Sequence, residues 1–587
     1  MGFVELRAHS AFSFGDGSAS PEALAARATS LGYPALGITD TADLGGIVRF
    51  GLEARRQNLK PIVGAELVID GCPAAFLART KEGFNNLASL VTRSRVGELS
   101  TWQKGDGKKT RGRPRISWQQ VAERSEGLQV LTGPASGPVA SSLRGGDYKG
   151  AERTLCRWRD AFGDRLAVEV QLQHASGNES ALATALIELA ERHRVPWVIC
   201  QEPRYIDNDS RLVHDVLTAL RYDTTIDDAL ARGLLHPNGE WRLASPEEMA
   251  ARWKGREVGL EESERIAAEC DFSLAWVRPP LPKFSVPAGH NDDTFLREKV
   301  FEGAHERWGE LDDRQTAQLD HELRVIGKLG FAGFFLVMWD AVHFAREKGI
   351  LCQGRGSAAN SAVAYCLAIT AVDPVKHGLL FERFLSEIRV DGQTEAPDID
   401  VDIEHDRREE VLDYVYGKYN RAQAAITCIV QMYRGPNAIR DSMRAFGYPV
   451  EMANDISKRI HWSDPAEGAK YVGEVLAPQL GIDFDNPRGK ATLAAMAAFE
   501  GVPRLRSTHV GGFVLSSAPL GDYLPVEHTT MGRTIIQFDK DDLDAVGIPK
   551  FDFLGLGALS HHGNYVLAGG RGAICRPCVH QLAPFLE

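Results

Sequence analysis

The sequence predicts an α/β protein, because short apolar segments alternate with helical ones over the first 270 residues or so. Residues 35–39, 61–64 and 166–170 have the composition of buried strands, whereas residues 21–31 and 180–194 have helical periodicity. Such alternation favours parallel strands in a barrel or a doubly wound sheet. Polar residues follow several strands, at the end where a barrel collects its functional groups: His9, Asp16, Asp40, Glu66 and Glu202.

Composition limits the class of protein. The 587 residues are enough for roughly three or four domains, and 44% hydrophobic with 25% charged residues is ordinary for a soluble protein. The apolar run at residues 334–339 is too short to span a bilayer, and the first residues lack the pattern of a signal peptide. Nine scattered cysteines predict reduced thiols. We therefore expect a cytoplasmic protein without a membrane partner.

A net charge of −12 argues against a surface coated with basic residues. It leaves nucleic acid open as a partner, because a local groove or a metal-filled site can supply the positive charge.

The most informative stretch is residues 396–403, in which three aspartates alternate with branched apolar residues. This period of two predicts a half-buried strand with Asp398, Asp400 and Asp402 on one face. Like charges on one face repel unless a cation neutralises them, and Mg²⁺ prefers oxygen ligands. The strand could therefore support two-metal phosphoryl chemistry. A solvated edge strand or a Ca²⁺-type acidic loop is the alternative.

A glycine-containing turn at residues 352–362 precedes this strand. Gly354 and Gly356 come before a run of small residues that can start a helix capped by Ser357, and a helix N-terminus can bind phosphate. No Lys-Ser or Lys-Thr pair follows, so the segment is not a Walker loop, and a capped glycine turn without a ligand is equally consistent. Arg383 and Arg389 lie between this turn and the aspartates, where each could bind phosphate or pair with a nearby glutamate.

The remaining pattern suggests domain limits. Four prolines within residues 278–287 predict an extended connector, after which helical periodicity resumes at residues 294–308 and 314–329. An amphipathic helix is predicted at residues 407–419, a strand at 425–430 and mostly helices from 435 to 502. A strand near residues 550–556 then carries Asp552, and a two-metal centre often needs a carboxylate from a neighbouring strand.

Three short motifs near the N-terminus, at residues 6–10, 38–40 and 63–66, resemble the opening of a PHP domain. That resemblance implies a distorted β/α barrel with a metal cluster, as occurs at the N-terminus of bacterial C-family DNA polymerases. Arg7, Thr41 and Arg204 replace histidines of the metal-binding version, and arginine cannot be a ligand. We expect His9, Asp16, Asp40, Glu66 and Glu202 to form an ion-paired network in a scaffold domain. One weakly bound ion is the alternative.

Four further motifs, at residues 354–357 with Ser361, 397–402, 509–516 and 551–556, resemble in sequence and order the palm of the bacterial DNA polymerase III alpha subunit. Residues 378–387, 404–411 and 537–544 resemble more specifically its error-prone, damage-tolerant paralogue. The resemblance extends over roughly residues 1–560. It implies a nucleotidyltransferase palm like that of polymerase beta, with an inserted helical thumb.

The resemblance also implies a site. Asp400, Asp402 and Asp552 match the catalytic aspartates that hold two Mg²⁺ ions, and Asp398 lies outside that set. Gly356 and Ser357 would bind the phosphates of a dNTP, and Arg383 or Arg389 with Lys550 would neutralise developing charge. The expected activity is template-dependent nucleotidyl transfer to a primer 3′-hydroxyl, in error-prone translesion synthesis during DNA replication and repair. Primer-template DNA and dNTPs are the expected partners.

The expected domains, in order, are a PHP-like barrel (1–275), a connector (276–293), the first palm segment (294–432), the thumb (433–507), the second palm segment (508–560) and an atypical tail (561–587). The family's fingers and C-terminal domains, including its clamp-binding region, have no counterpart here, so we expect a C-terminally truncated chain. A sliding clamp and accessory translesion proteins are further partners of the family. Two alternatives stay open: an inactive remnant that binds DNA weakly, and a PHP-type metal-dependent phosphoesterase or proofreading nuclease.

Overall fold

The computed structural model describes residues 2–97, 114–385, 397–460, 463–529 and 533–560, and the backbone of 103–105 and 108–110. Arg389 and the predicted tail at 561–587 lie outside these residues. The chain forms two compact units. The first contains residues 1–276 and 430–507, and the second contains residues 277–429 with the segment that follows residue 507.

The first unit is built on a seven-stranded sheet in the order β1-β2-β3-β4-β7-β8-β9, and β5 and β6 form a separate hairpin. The strands are β1 (Glu5–Ala8), β2 (Ala35–Thr41), β3 (Lys60–Ile69), β4 (Cys72–Ala78), β5 (Gln103–Gly105), β6 (Lys108–Thr110), β7 (Leu128–Leu131), β8 (Leu166–Val170) and β9 (Trp197–Ile199). β1 and β9 are the first and last strands of this sheet. The segments that follow them are linked by a hydrogen bond of 2.9 Å, which the His9 backbone N–H donates to the Pro203 carbonyl. The predicted α/β fold with a distorted N-terminal barrel is confirmed.

The prediction of parallel strands is wrong for β4, which runs antiparallel to both of its neighbours. β3 and β4 are joined by Asp70 and Gly71, whose φ angles of +49° and +96° belong to a two-residue hairpin turn. Asp-Gly is a strong sequence signal for such a turn. The local turn therefore overrides the alternation of strands and helices.

Eleven helices surround this sheet among the residues described up to 276. They are α1 (Pro21–Ser30), α2 (Ile47–Arg56), α3 (Lys81–Val96), α4 (Trp118–Ala122), α5 (Pro138–Arg144), α6 (Tyr148–Phe162), α7 (Glu179–Arg192), α8 (Arg211–Arg221), α9 (Ile226–Ala231), α10 (Pro246–Arg252) and α11 (Val258–Glu269). Ser20 caps α1 by accepting from the Ala23 N–H, and Pro21 occupies the first turn, where its missing N–H costs nothing.

The second sheet has the order β10-β11-β16-β13-β12-β15-β14. Its strands are β10 (Cys352–Arg355), β11 (Ile399–Glu404), β12 (Ala424–Met432), β13 (Pro503–Leu515), β14 (Val526–His528), β15 (Thr534–Ile536) and β16 (Phe551–Leu556). β11 and β16 are parallel, whereas β10 and β13 are antiparallel to their partners β11 and β16. The aspartates of β11 therefore lie between β10 and β16, and β13 lies one strand further along the sheet.

The helices of the second half are α12 (Asp292–Trp308), α13 (Asp313–Leu329), α14 (Ala332–Glu347), α15 (Ala362–Cys366), α16 (Arg408–Tyr419), α17 (Gly435–Ala445), α18 (Val450–Arg459), α19 (Pro465–Tyr471), α20 (Ala477–Leu480), α21 (Pro487–Ala498) and α22 (Lys540–Val546). The predicted apolar stripe of α16 is buried as expected. Among the described residues, no single helix is both long and apolar enough to cross a membrane. α13 and α14 together meet a criterion of length and composition, but they are bent by 114° at their junction.

Helices α17 to α21, the predicted thumb, share one hydrophobic core with α8 of the first unit. Val213 and Val216 of α8 are buried in the same cluster as Ile439 and Met443 of α17. Such a shared core stabilises both elements because each removes apolar surface of the other from water. The insertion therefore belongs to the first compact unit, and its role as a thumb stays a prediction.

A buried ion pair also joins the insertion to the barrel within the first unit. The Arg506 guanidinium of β13 donates to both carboxylate oxygens of Asp43 at 2.8 Å, and Arg95 approaches the same carboxylate at 3.2 Å. The Asp43 side chain is fully buried, so it depends on these partners for its stability.

We expect Asp43→Asn to lower the free energy of unfolding by about 3–5 kcal/mol, because it removes a buried negative charge that pairs with the guanidinium groups of Arg506 and Arg95. Urea denaturation monitored by circular dichroism measures the loss. Glu53→Gln is the matched control, since it breaks the Glu53–Arg56 pair on the surface of α2, and it should leave stability nearly unchanged. Equal stability of Asp43→Asn and the wild type would contradict this account of the ion pair.

Candidate metal centre

The second sheet brings two acidic strands together. Asp400 of β11 is paired in register with Asp552 of the parallel neighbour β16. On the other side of β11, Arg355 of β10 is paired with Asp400. On the far side of β16, Gly512 of β13 is paired with Asp552. Residues separated by about 150 positions in sequence thus meet at one level of the sheet.

The predicted alternation on β11 is confirmed. Ile399, Val401 and Ile403 are buried in the core, whereas Asp400 and Asp402 are partly exposed. Asp398 precedes the strand, and its side chain is 52% exposed. The aspartates on the strand therefore share the face away from the core, as the period of two requires.

Three carboxylates approach one another closely. Asp398, Asp400 and Asp552 each offer an oxygen within 4.8 Å of the others. The Lys550 ammonium donates to Asp398 Oδ1 at 2.7 Å and to Asp552 Oδ2. Asp552 Oδ1 is buried and accepts no hydrogen bond among the described residues. A hard cation takes oxygen ligands of this type, and an unsatisfied buried carboxylate oxygen is costly without one, so these residues fit a divalent cation.

The clustering of charge is visible in the pKa values. Burial, with the neighbouring Asp398 and Asp552, raises the pKa of Asp400 to about 6. Burial also raises the pKa of Asp402, and Arg355 opposes this rise, with Nε 3.6 Å from an oxygen of each aspartate. Burial alone would lower the pKa of Lys550, but its hydrogen bonds to Asp398 and Asp552 outweigh burial and raise it. Lys550 is therefore a fixed positive charge in the site.

His509 of β13 also lies in this site, although the sequence indicated it only as part of the motif at residues 509–516. Its Nδ1 accepts from the Gly511 and Gly512 N–H groups at 3.1 and 2.7 Å and lies 3.8 Å from Asp552 Oδ1. Burial lowers the pKa of His509, which favours the neutral ring that these two donors require. A Cβ on Gly512 would lie 3.0 Å from Asp552 Oδ1 and from His509 Nδ1, which is tighter than an ordinary contact, so a larger residue would require these side chains to move.

The predicted phosphate-binding turn lies beside the cluster. Residues Gly356–Asn360 form a short 3-10 turn after β10, in which Gly356 has φ +69° and Ser357 Oγ donates to the Asp398 carbonyl at 3.3 Å. The prediction that Ser357 caps a helix is wrong. The cap is Ser361, whose Oγ accepts from the Ala364 N–H at the start of α15. Arg383 is exposed at the end of the turn Phe381–Arg383.

The degenerate site of the first unit is arranged differently. His9, Glu66 and Glu202 are buried within 4.8 Å of one another. Arg7, which is fully buried, pairs with Glu66 and Glu202 and also with Glu169 at 2.8 Å. These contacts form an ion-paired network around the arginine.

A second arginine completes that network. Arg204 contacts Asp16, lies 2.8 Å from Glu202 and donates to His9 Nδ1 at 2.9 Å. Asp40 instead accepts hydrogen bonds from Ser10 and Ser13, and burial raises its pKa to about 7. Burial and the charges of both arginines hold the pKa of His9 well below its usual range. Two guanidinium groups already contact these carboxylates and the histidine, which disfavours a divalent cation here, whereas His9 Nε2 and Glu169 Oε2 are buried without a hydrogen-bond partner among the described residues.

The fold and the sites define an α/β protein with a barrel-type first unit and a carboxylate-lined candidate metal centre in the second. Two family models match this chain. Residues 5–173 match the PHP domain model, and residues 294–555 match the model described as bacterial DNA polymerase III alpha NTPase domain.

Curated relatives match nearly the whole chain. An error-prone DNA polymerase of Anaeromyxobacter sp. (strain K) is 37% identical over 95% of this chain and 54% of its own length. Error-prone DNA polymerases of Pseudomonas aeruginosa and Methylococcus capsulatus are 39% and 40% identical, also over 95% of this chain, and the match covers 51% and 50% of those relatives. The chain contains a PHP domain and a bacterial DNA polymerase III alpha domain, and it spans about half the length of the curated relatives it matches. A solved amidohydrolase of Chromobacterium violaceum aligns with 34% of this chain and 87% of its own, at 15% identity and a TM-score of 0.23, which supports no inference.

The raised pKa of Asp400 predicts a pH-dependent cost. Above a pH of about 6 the group is ionised in the folded chain, and this charge destabilises the fold. Below the ordinary pKa of 3.8 the group is protonated in the folded and the unfolded chain, so it has no effect on stability. We therefore expect Asp400→Asn to be more stable than the wild type at pH 8 in EDTA, and the difference to vanish near pH 4. Thermal denaturation between pH 4 and pH 8 measures this. Asp413→Asn, on the exposed side of α16, should show no such difference, and a pH-independent effect of Asp400→Asn would contradict the assignment.

Proposed function

We propose that this chain carries the catalytic palm of a DNA-directed DNA polymerase, which transfers a nucleotide from a dNTP to the 3′-hydroxyl of a primer. The observation that carries the proposal is the pairing of Asp400 with Asp552 on adjacent strands, beside an unsatisfied Asp552 oxygen. Two acidic strands at one level of a sheet suit a reaction that moves a phosphoryl group between two oxygens. Relatives named error-prone DNA polymerase support the same activity.

In this proposal Asp400, Asp402 and Asp552 hold two Mg²⁺ ions, as the family resemblance implies. The described cluster within 4.8 Å contains Asp398 with Asp400 and Asp552, and Asp402 lies outside it on the same strand as Asp400. Such ions, when bound, lower the pKa of the attacking hydroxyl and stabilise negative charge on the phosphate and the leaving pyrophosphate. The raised pKa of Asp400 is about 6, so this carboxylate is mostly ionised at neutral pH and available as a ligand.

Other residues of the chain supply positioning and charge. Lys550 cannot act as a proton acceptor, because its raised pKa keeps it protonated, so its role is electrostatic. Its ammonium group donates hydrogen bonds to the carboxylates of Asp398 and Asp552, which fix its position in the site. Gly356 and Ser357 bind the triphosphate, and Arg383 or Arg389 neutralises charge that develops on it.

The names of the relatives support error-prone synthesis. Synthesis past damaged template during DNA replication and repair is proposed from the resemblance of residues 378–387, 404–411 and 537–544 to the damage-tolerant paralogue. Primer-template DNA and dNTPs are the proposed substrates, and a sliding clamp and accessory translesion proteins the proposed partners. A cytoplasmic location follows from the activity. A phosphoesterase in the first unit is disfavoured by the contacts of Arg7 and Arg204.

We expect the purified chain to extend a primed template with Mg²⁺ and dNTPs, and Asp400→Asn or Asp552→Asn to lower the rate at least about 100-fold. Single-nucleotide extension resolved on a gel measures this, with Asp413→Asn as the control that retains activity. Extension that survives both site substitutions would contradict the proposed site. A wild-type chain that binds primed DNA weakly and does not extend it would favour the alternative of an inactive remnant.

A further inference from the structure

Glu322 of α13 is a buried carboxylate outside the acidic cluster. Its side chain is 0% exposed, and glutamate is almost never fully buried unless it is paired. No cation pairs with it among the described residues, and its oxygens accept hydrogen bonds instead. The donors are Gln318 Nε2 at 2.9 Å, Ser361 Oγ at 2.7 Å, the Ala362 N–H at 2.9 Å and the Val363 N–H at 3.0 Å.

Three of these four donors belong to the start of α15. The first N–H groups of a helix have no partner within the helix, and a carboxylate there is favourable. Ser361 Oγ donates to Glu322 and at the same time accepts from the Ala364 N–H at 3.0 Å. Glu322 therefore fixes the residue at which α15 begins, although it lies 40 positions away from Ala362 in sequence.

The turn Gly356–Asn360 connects this fixed point to β10. At its other end, the Gly354 N–H donates to the Ile369 carbonyl at 2.7 Å, and Arg355 is paired in register with Asp400. Within the turn, Asn360 Nδ2 donates to the Ser357 carbonyl at 2.9 Å. The turn is thus held at both ends, next to the aspartates.

We infer that Glu322 is a positioning residue for the triphosphate-binding turn, an inference that rests on the proposed function. By accepting from the N–H groups of Ala362 and Val363, its carboxylate fixes the start of α15, which directly follows the turn. The phosphates of an incoming dNTP then bind the backbone and the Ser357 hydroxyl of residues 356–360. Glu322 keeps these groups at a fixed place relative to Asp400.

Glu322→Gln tests the inference with little change of volume. Each Glu322 oxygen accepts from two donors, so glutamine turns its N–H₂ group toward two of them, one of which is a backbone N–H of α15. The start of α15 should therefore loosen. We expect dATP to bind about tenfold more weakly, as one lost hydrogen bond implies, while the rate at saturating dNTP stays within about threefold of the wild type. Glu322→Asp, which keeps the carboxylate, should recover part of the affinity.

Three measurements on the full chain separate the outcomes: calorimetric binding of dATP with Mg²⁺, single-nucleotide primer extension, and amide hydrogen exchange of residues 354–366. Glu302→Gln, an exposed carboxylate on α12, is the control and should match the wild type in all three. Faster exchange with unchanged dATP affinity in Glu322→Gln would overturn the inference and leave the polymerase proposal standing. Unchanged exchange and affinity would also overturn it. Wild-type binding of dATP without extension would contradict the proposed function alone, and no binding of dATP would overturn both.

Discussion

Repulsion between Asp400 and Asp552 is the constraint on which the second unit depends. Adjacent parallel strands hold the two residues in register, so their carboxylates cannot separate without breaking the sheet. Lys550 hydrogen-bonds Asp552 and Asp398, Arg355 lies 3.6 Å from Asp400, and His509 stays neutral. The positive charges of Lys550 and Arg355 lower the cost of the carboxylates, and Asp552 Oδ1 still accepts no hydrogen bond among the described residues. The site is stable as folded and still has an attraction for a divalent cation.

In the first unit, arginines of the chain itself offset the repulsion between neighbouring carboxylates. Its carboxylates surround Arg7 and Arg204, whose charges are part of the chain and cannot be lost at any ordinary pH. Breaking such a buried network is costly, which favours a structural role over exchange with ions. The two acidic sites therefore differ in one physical respect: Arg7 and Arg204 pair with the carboxylates of the first unit, whereas Lys550 and Arg355 leave Asp552 Oδ1 of the second unit without a hydrogen bond among the described residues. This contrast agrees with a scaffold barrel and a chemically active palm.

Local patterns in the sequence predicted what depends on local structure. The period of two at residues 398–403 predicted which side of β11 is buried, and the apolar stripe of α16 predicted its buried residues. The Asp70-Gly71 turn could have been found in the same way, because its dihedral angles follow from its residue types. By contrast, Ser361 rather than Ser357 caps α15 because Glu322 reaches it from a distant helix. The shared core of α8 and α17 and the pair Asp43–Arg506 likewise depend on contacts that no window of sequence contains. The proximity of Asp552 to Asp400 was predicted only through family resemblance.

Binding of Mn²⁺ followed by electron paramagnetic resonance tests the central contrast between the two acidic sites most directly. The wild-type chain, Asp552→Asn in the second unit and His9→Asn in the first would be titrated at neutral pH under identical conditions. This account predicts saturable binding in the wild type, its loss in Asp552→Asn, and unchanged binding in His9→Asn. Binding that is lost in His9→Asn and unchanged in Asp552→Asn would contradict it.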